Sequence, residues 1–91
     1  MLFYIIFKVL KIVLYTTTTC PFCKMQKDYL KSKNIDFSEI LVDENPEEAQ
    51  KMIELSGQLG VPFTVITKDD GSLEKILGFD KARLDSILGF N

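Results

Sequence analysis

The chain has no histidine, and its 91 residues include only two cysteines, three prolines and five glycines. Without histidine it lacks the commonest general base near neutral pH and the usual non-thiol ligand of zinc. Two cysteines are too few for a small secreted scaffold, which is stapled by more cysteines at wider spacings. Positive charge is short as well: eleven basic residues against thirteen acidic ones give a net charge of −2. With no basic patch and no aromatic–basic interleaving, nothing suits nucleic acid. No hydrophobic run reaches the roughly 20 residues that cross a bilayer. No repeat, low-complexity tract or linker interrupts the chain. What these absences leave is one small domain, and an apolar content of 46% is that of a folded core rather than a disordered segment.

Both cysteines fall in one motif, Cys20-Pro21-Phe22-Cys23, just after an apolar, β-branched run. A disulfide between them closes a ring of four residues, which constrains the unfolded chain very little. The pair therefore reads as chemical rather than structural, and the reducing cytoplasm is the expected compartment. The N-terminal stretch Met1-Leu2-Phe3-Tyr4-Ile5-Ile6-Phe7 is strongly apolar and is interrupted by Lys8 and Lys11. It has neither the leading positive charge nor the small-residue cleavage site of a signal peptide. It reads as a lengthened first strand or as residues ahead of the domain, with a weak membrane anchor as the alternative. Residues 1–10 are accordingly treated as an extension and 11–91 as the domain.

Local patterns then place the elements. A strand is expected over Lys11–Thr16, followed by a threonine loop to Thr19. A helix opens at Cys20 with Pro21 at its first position, where a missing N–H costs nothing. Phe22, Met25, Tyr29 and Leu30 recur at helical spacing, and Asn34 suits the left-handed residue that ends the helix. Ile35–Val42 alternates as a second strand. Asn45-Pro46-Glu47-Glu48 is a strong helix start, Ala49, Met52, Ile53 and Ser56 give that helix its inner stripe, and Gly57 stops it. Val61–Thr67 is a third strand, and Lys68-Asp69-Asp70-Gly71 turns the chain into a fourth over Ser72–Leu77. Asp80 caps a last helix with Leu84, Ile87 and Leu88 on its buried face. The order β-α-β-α-β-β-α, with the first two strands parallel and the last two a hairpin, predicts an α/β fold: a four-stranded mixed sheet with three helices on both faces. It resembles the minimal thioredoxin-like fold.

In that setting the chemistry of the pair is specific. Disulfide exchange needs a thiolate, and an ordinary cysteine is mostly protonated at neutral pH. Cys20 stands at a helix N-terminus, where unpaired N–H groups and the positive end of the helix dipole favour the thiolate. The reading is Cys20 as nucleophile and Cys23, one turn further in, as resolving thiol, with Pro21 and Phe22 fixing the turn between them. A zinc or iron–sulfur site needs more ligands than one chain supplies, although a dimer could contribute four cysteines; inert buried cysteines are the other alternative. Gly60-Val61-Pro62 introduces the third strand. Its ordinary reading is a trans proline at a strand end. In a thioredoxin-like fold a cis Val61-Pro62 peptide facing the dithiol is expected instead, freeing a backbone edge for an incoming peptide or thiol. Gly78-Phe79-Asp80 precedes the last helix; Asp80 is a plain N-cap, Phe79 suits the core as well as a site, and the helix N–H groups could take a carboxylate. Lys24 and Lys27 read as solvated charges that add positive potential near the thiolate.

Over Lys11–Leu88 the sequence resembles the glutaredoxins and glutaredoxin-like redoxins. The resemblance rests on Tyr15 with Cys20-Pro21-Phe22-Cys23-Lys24, on Ser56-Gly57-Gln58-Leu59-Gly60-Val61-Pro62, and on Gly78-Phe79-Asp80. It implies a monomeric dithiol oxidoreductase that reduces protein disulfides or glutathione mixed disulfides, with no covalently bound cofactor or metal and glutathione as a co-substrate. It also implies Pro62 as active-site support, Val61 as the backbone partner of glutathione, Gln58 near its glycine carboxylate and Asp80 near its γ-glutamyl amine. Three positions depart from the usual glutaredoxin pattern: Thr17 replaces a lysine, Gly60 a frequent threonine, and Phe79 a frequent cysteine. A Gly-Phe at that last place is similar to the NrdH-type redoxins, which take electrons from thioredoxin reductase and serve ribonucleotide reductase. An iron–sulfur-binding dimer, bridged by two Cys20 thiolates and two glutathiones, is the alternative from another class.

Overall fold

Valine, isoleucine, tyrosine and threonine fit a pleated, half-buried surface, and the run that holds them forms strand β1 (Val9–Thr16). The computed structural model describes residues 9–89, and β1 is followed by α1 (Pro21–Ser32), β2 (Ser38–Leu41), α2 (Pro46–Ser56), β3 (Phe63–Lys68), β4 (Leu73–Leu77) and α3 (Lys81–Leu88). This is the expected element order. The sheet runs β2-β1-β3-β4, with β1 parallel to β2 and antiparallel to β3, and β3 antiparallel to β4.

Alternation along the strands builds two apolar layers. Ile12, Ile66 and Ile76 pack with Leu84 of α3, and Tyr29 of α1 joins them. On the opposite face Tyr15, Phe63 and Val65 pack with Val42 and with Met52 of α2. Helices α1 and α3 therefore share one face of the sheet and α2 covers the other. A hydrogen bond from the Tyr29 hydroxyl to the Asp85 carboxylate ties α1 to α3. The caps are those the sequence announces: Asn45 Oδ1 accepts from Glu48 N at 3.3 Å and Asp80 Oδ1 from Arg83 N at 3.1 Å. Gly57 closes α2 with φ +80°, a conformation that costs glycine nothing.

Several details differ from the sequence reading, among them the third strand, which starts at Phe63 and leaves Val61 and Pro62 in the loop ahead of it. Strand β1 begins at Val9, so Val9 and Leu10 join the sheet ahead of Lys11; the readings made for the apolar stretch before them lie outside the described residues. The second strand is shorter. Asn34 takes the left-handed conformation (φ 58°) and the Ile35 amide still bonds back to Leu30 O at 3.0 Å, so pairing with β1 starts only at Ser38. Ile35 and Phe37 reach the core from irregular backbone. On α1, Phe22 and Met25 are 61% and 50% exposed, and the buried stripe is Cys23, Gln26 and Leu30. Tyr29 and Leu30 face the core as expected, but in the first turns the inner positions are Cys23 and Gln26 rather than Phe22 and Met25. On α2 only Met52 is fully buried; half-buried Ala49 and Leu55 pack against its cluster, whereas Ile53 and Ser56, equally half-buried, are not part of it.

Candidate active site

Strand register decides which loops meet. Thr16, the last residue of β1, pairs with Leu41, the last of β2; Tyr15 pairs with Phe63, the first of β3; and Phe63 pairs with Leu77, the last of β4. The segments 17–20, 42–45, 60–62 and 78–80 therefore emerge at one end of the sheet. The dithiol motif, the Val61-Pro62 loop and the Gly78-Phe79-Asp80 motif, distant in sequence, are gathered there.

Cys20 is the N-cap of α1, and its Sγ accepts the Cys23 amide at 3.0 Å. Pro21 follows at the first helical position. The two cysteines form a disulfide with their Cα atoms 5.2 Å apart. They are not equivalent: Cys20 is half-exposed, whereas Cys23 is 1% exposed. The loop before them is held from below. Asp43 Oδ2 accepts both the Thr18 amide (3.0 Å) and the Thr18 hydroxyl (2.6 Å). Those two bonds hold the Asp43 carboxyl below the ordinary aspartate range. A second anchor sits beside it, where the buried Thr16 hydroxyl donates to Glu39 Oε2 at 2.6 Å and Lys27 Nζ reaches the same oxygen at 2.8 Å. Burial pushes the Glu39 pKa up, but the bonds from Lys27 and Thr16 and the charges of Lys27 and Lys31 outweigh it and leave it lowered.

A carboxyl with a depressed folded pKa stabilises above its unfolded pKa, and that contribution disappears as the pH falls through the folded value. The Thr18 amide resonance is therefore expected to report the Asp43 titration, with its midpoint below the value of a free aspartate, about 3.9. Asp43→Asn should abolish that titration while the loop stays anchored through the amide oxygen. A Thr18 resonance that follows an unshifted aspartate would contradict the anchor.

The other candidates fall as follows. The Val61-Pro62 peptide is cis, as the thioredoxin-like setting implied, and Pro62 is buried. Its carbonyl accepts the Gly78 amide at 2.8 Å, which joins the second and third motifs directly. Phe79 is half-buried with its ring 6.0 Å from that of Tyr29, on the core side. Asp80 is exposed and uses one oxygen to cap α3. Gln58 is exposed, its backbone held by the Ser56 hydroxyl. Its side-chain amide folds over Gly60, where a Cβ would lie 2.9 Å from Gln58 Oε1; the absent threonine side chain leaves room for it. Thr17 is half-buried. From Cys20 an open groove of about 660 Å³ runs along α1 past Lys24, Lys27 and Lys31. Asp43, Glu39, Thr64 and Gln26 are site residues that no sequence motif indicates. Gln26 is completely buried, and its Nε2 donates to Thr64 Oγ1 at 2.6 Å, pinning α1 to β3 two residues beyond the cis proline. Its position three residues after Cys23 was the available signal.

Among the described residues no group of three or more Cys, Asp or Glu side chains is arranged to hold a metal ion. No described helix is long and apolar enough to cross a membrane.

Comparison with known proteins gives the geometry a lineage. The glutaredoxin family model matches residues 12–70. An uncharacterized glutaredoxin-like 8.6 kDa protein in the rubredoxin operon of Clostridium pasteurianum is 47% identical over 85% of this chain and 96% of its own length. Glutaredoxin 3 of Escherichia coli K12 is 39% identical over 82% of this chain and 93% of its own. Among solved structures, the glutaredoxin-like NrdH-redoxin of E. coli, described as having a thioredoxin-like activity profile, superposes with a TM-score of 0.71 at 26% identity, covering 86% of this chain and 95% of that one. The matched span takes in the sheet's central strands and the helix that carries the dithiol, and on that ground the chain belongs to the glutaredoxin family.

Proposed function

We propose that the protein is a dithiol redoxin that reduces disulfides through Cys20 and Cys23. The observation that carries this reading is the asymmetry of the pair. One sulfur is half-exposed at a helix N-terminus and accepts an N–H bond; the other is buried one turn behind it. In the reduced protein the Cys20 thiolate attacks one sulfur of a substrate disulfide, and the other sulfur leaves as a thiolate and takes up a proton. Cys23, deprotonated, then attacks Cys20 Sγ. The second substrate thiol departs and the Cys20–Cys23 disulfide remains. Pro21 and Phe22 set the turn between the sulfurs, and the Val61 backbone beside Pro62 is the edge offered to the substrate chain. No metal or organic cofactor takes part within the chain. The reading includes the reducing cytoplasm, which keeps a dithiol in its reduced form, and a monomer.

Protein disulfides suit the surroundings better than a tripeptide alone. Phe22 and Leu59, on the dithiol turn and just before the cis-proline loop, are 61% and 66% exposed, and Met25 extends the apolar surface along α1. For glutathione, Val61, Gln58 and Asp80 remain the contacts to test, with Phe79 contributing through the loop backbone, since its ring lies on Tyr29. A second reading of the electron donor draws support from Thr17, which offers no cation before the dithiol, and from the Gly78-Phe79 pair. Both favour an NrdH-type redoxin recharged by thioredoxin reductase.

One assay separates the donors. Reduction of insulin, and of a glutathione mixed disulfide, is followed with glutathione, glutathione reductase and NADPH, and in parallel with thioredoxin reductase and NADPH. Turnover of insulin with thioredoxin reductase, and at most weak turnover with glutathione, is the outcome the Thr17 observation leads us to expect. Efficient turnover of the mixed disulfide with glutathione alone would return the protein to the glutathione-dependent reading. Failure with both donors would overturn the redoxin assignment.

A further inference from the structure

We infer that Gln26 is a positioning residue for Cys23: its buried amide oxygen receives the Cys23 S–H that appears when the disulfide is reduced. Gln26 is completely buried, and its Nε2 is committed to Thr64 Oγ1 at 2.6 Å. Its Oε1 is buried with no hydrogen-bond partner, and no other described side chain with a buried oxygen or nitrogen is left so. An acceptor without a partner in a protein interior is costly, and one that persists calls for an explanation.

The helix supplies it. Residues three apart on a helix are neighbours, about 5–6 Å between Cβ atoms, and a long helical side chain leans back over the turn N-terminal to it. For Gln26 that turn carries Cys23, and both lie on the buried stripe of α1. In the disulfide state Cys23 has no proton to give. Reduction by an external dithiol transfers two electrons and two protons: the Cys20–Cys23 bond breaks, Cys20 and Cys23 gain S–H groups, Cys20 can then ionise, and the reductant closes to its own cyclic disulfide. The new Cys23 S–H is as buried as the sulfur was. A thiol is a weak donor, yet here it meets an acceptor that has no rival. The pairing favours the reduced state and leaves the oxidised state with the unpaired oxygen. Thr64 keeps the amide turned the right way from β3.

The inference rests on the dithiol reading but is tested without substrate or physiological donor, so either can fail alone. Gln26→Met keeps the length of the side chain and removes the acceptor. In equilibrium with a dithiothreitol redox couple, the variant's disulfide should be about tenfold harder to reduce, a shift of about 30 mV to more negative potential for this two-electron couple. Thr64→Val removes the bond that holds the Gln26 amide in orientation and should move the potential in the same direction. A direct readout uses Cys20→Ser, in which Cys23 is the sole thiol. Its S–H stretching band should lie at a lower, hydrogen-bonded frequency and move up when Gln26→Met is added. An unchanged potential together with an unmoved band would overturn the inference, as would equal destabilisation of the oxidised and reduced forms by Gln26→Met. Loss of insulin reduction with both measurements behaving as stated would instead count against the proposed activity.

Discussion

Cys20→Ser is expected to abolish disulfide reduction, whereas Cys23→Ser should still attack a disulfide once and remain covalently joined to it. The difference follows from where the two sulfurs sit. Cys20 is the half-exposed cap of α1, and the Cys23 amide points at its sulfur from 3.0 Å. An amide donor and the positive end of a helix favour negative charge on that sulfur over the thiol form. A substrate disulfide can approach it from solvent. Cys23 is 1% exposed and can be reached by Cys20 but not by a protein disulfide. Cys20→Ser removes the one sulfur that a substrate disulfide can meet, so the rate should fall to the uncatalysed background. Serine at 23 leaves attack intact and removes the internal release step, so turnover stops at a mixed disulfide on Cys20. Mass spectrometry of Cys23→Ser after mixing with oxidised insulin should show the adduct, and an added thiol should release it. Reductase activity retained by Cys20→Ser, or an adduct that maps to position 23 in a Cys20→Ser protein, would reverse the roles.

What could be read in advance was local chemistry. Asn45-Pro46-Glu47-Glu48 and Asp80 announce helix starts because capping is settled within four residues, and both caps are present. Gly57 and Asn34 end helices as expected, through left-handed backbone that few other residues adopt. The dithiol turn was legible for the same reason. What depends on register was not. Nothing in Thr18 says that Asp43, 25 residues away, will hold its amide; that bond exists because β1 and β2 are parallel and finish together. The isomer of the Val61-Pro62 bond is not written in its neighbours either, and came only through the resemblance. The buried face of α1 follows from packing rather than from apolar spacing. Apolar spacing favoured Phe22 and Met25, but a helix that must bury Cys23 also turns Gln26 inward and sends both of those side chains to solvent. A polar residue on the buried stripe, with half its amide unmatched, is a place where pattern reasoning fails and function is a fitting explanation.

Phe63→Ala is expected to remove much of the protein's stability without destroying the dithiol's chemistry in whatever remains folded. Phe63 is 2% exposed; it pairs with Tyr15 in β1 and Leu77 in β4, and its ring stacks on that of Tyr15 at 6.0 Å. It packs in the layer under α2 with Met52, Val42 and Val65. Deleting a buried ring costs about 3–5 kcal/mol, from lost transfer energy and from the cavity that remains. Domains have only about 5–15 kcal/mol in total. For a chain of this size about 4–8 °C of melting temperature goes with each kcal/mol, so a drop of roughly 12–40 °C is expected. Phe63→Leu, which fills most of the space, should lose far less. The consequence for the site is graded. The residue follows Pro62, so a collapsed cavity there loosens the cis-proline loop and its bond from Gly78. The cysteine pair, by contrast, is held within the first turn of α1, by Cys23 N on Cys20 Sγ and Lys24 N on Cys20 O. Well below its melting temperature the Phe63→Ala protein should therefore still exchange its disulfide with a small dithiol, while its reduction of insulin falls. Melting within a few degrees of the parent protein would mean that the layer under α2 is not what holds β3 in register. Equal loss toward the small dithiol and toward insulin would mean that the loop and the dithiol are not separable as described.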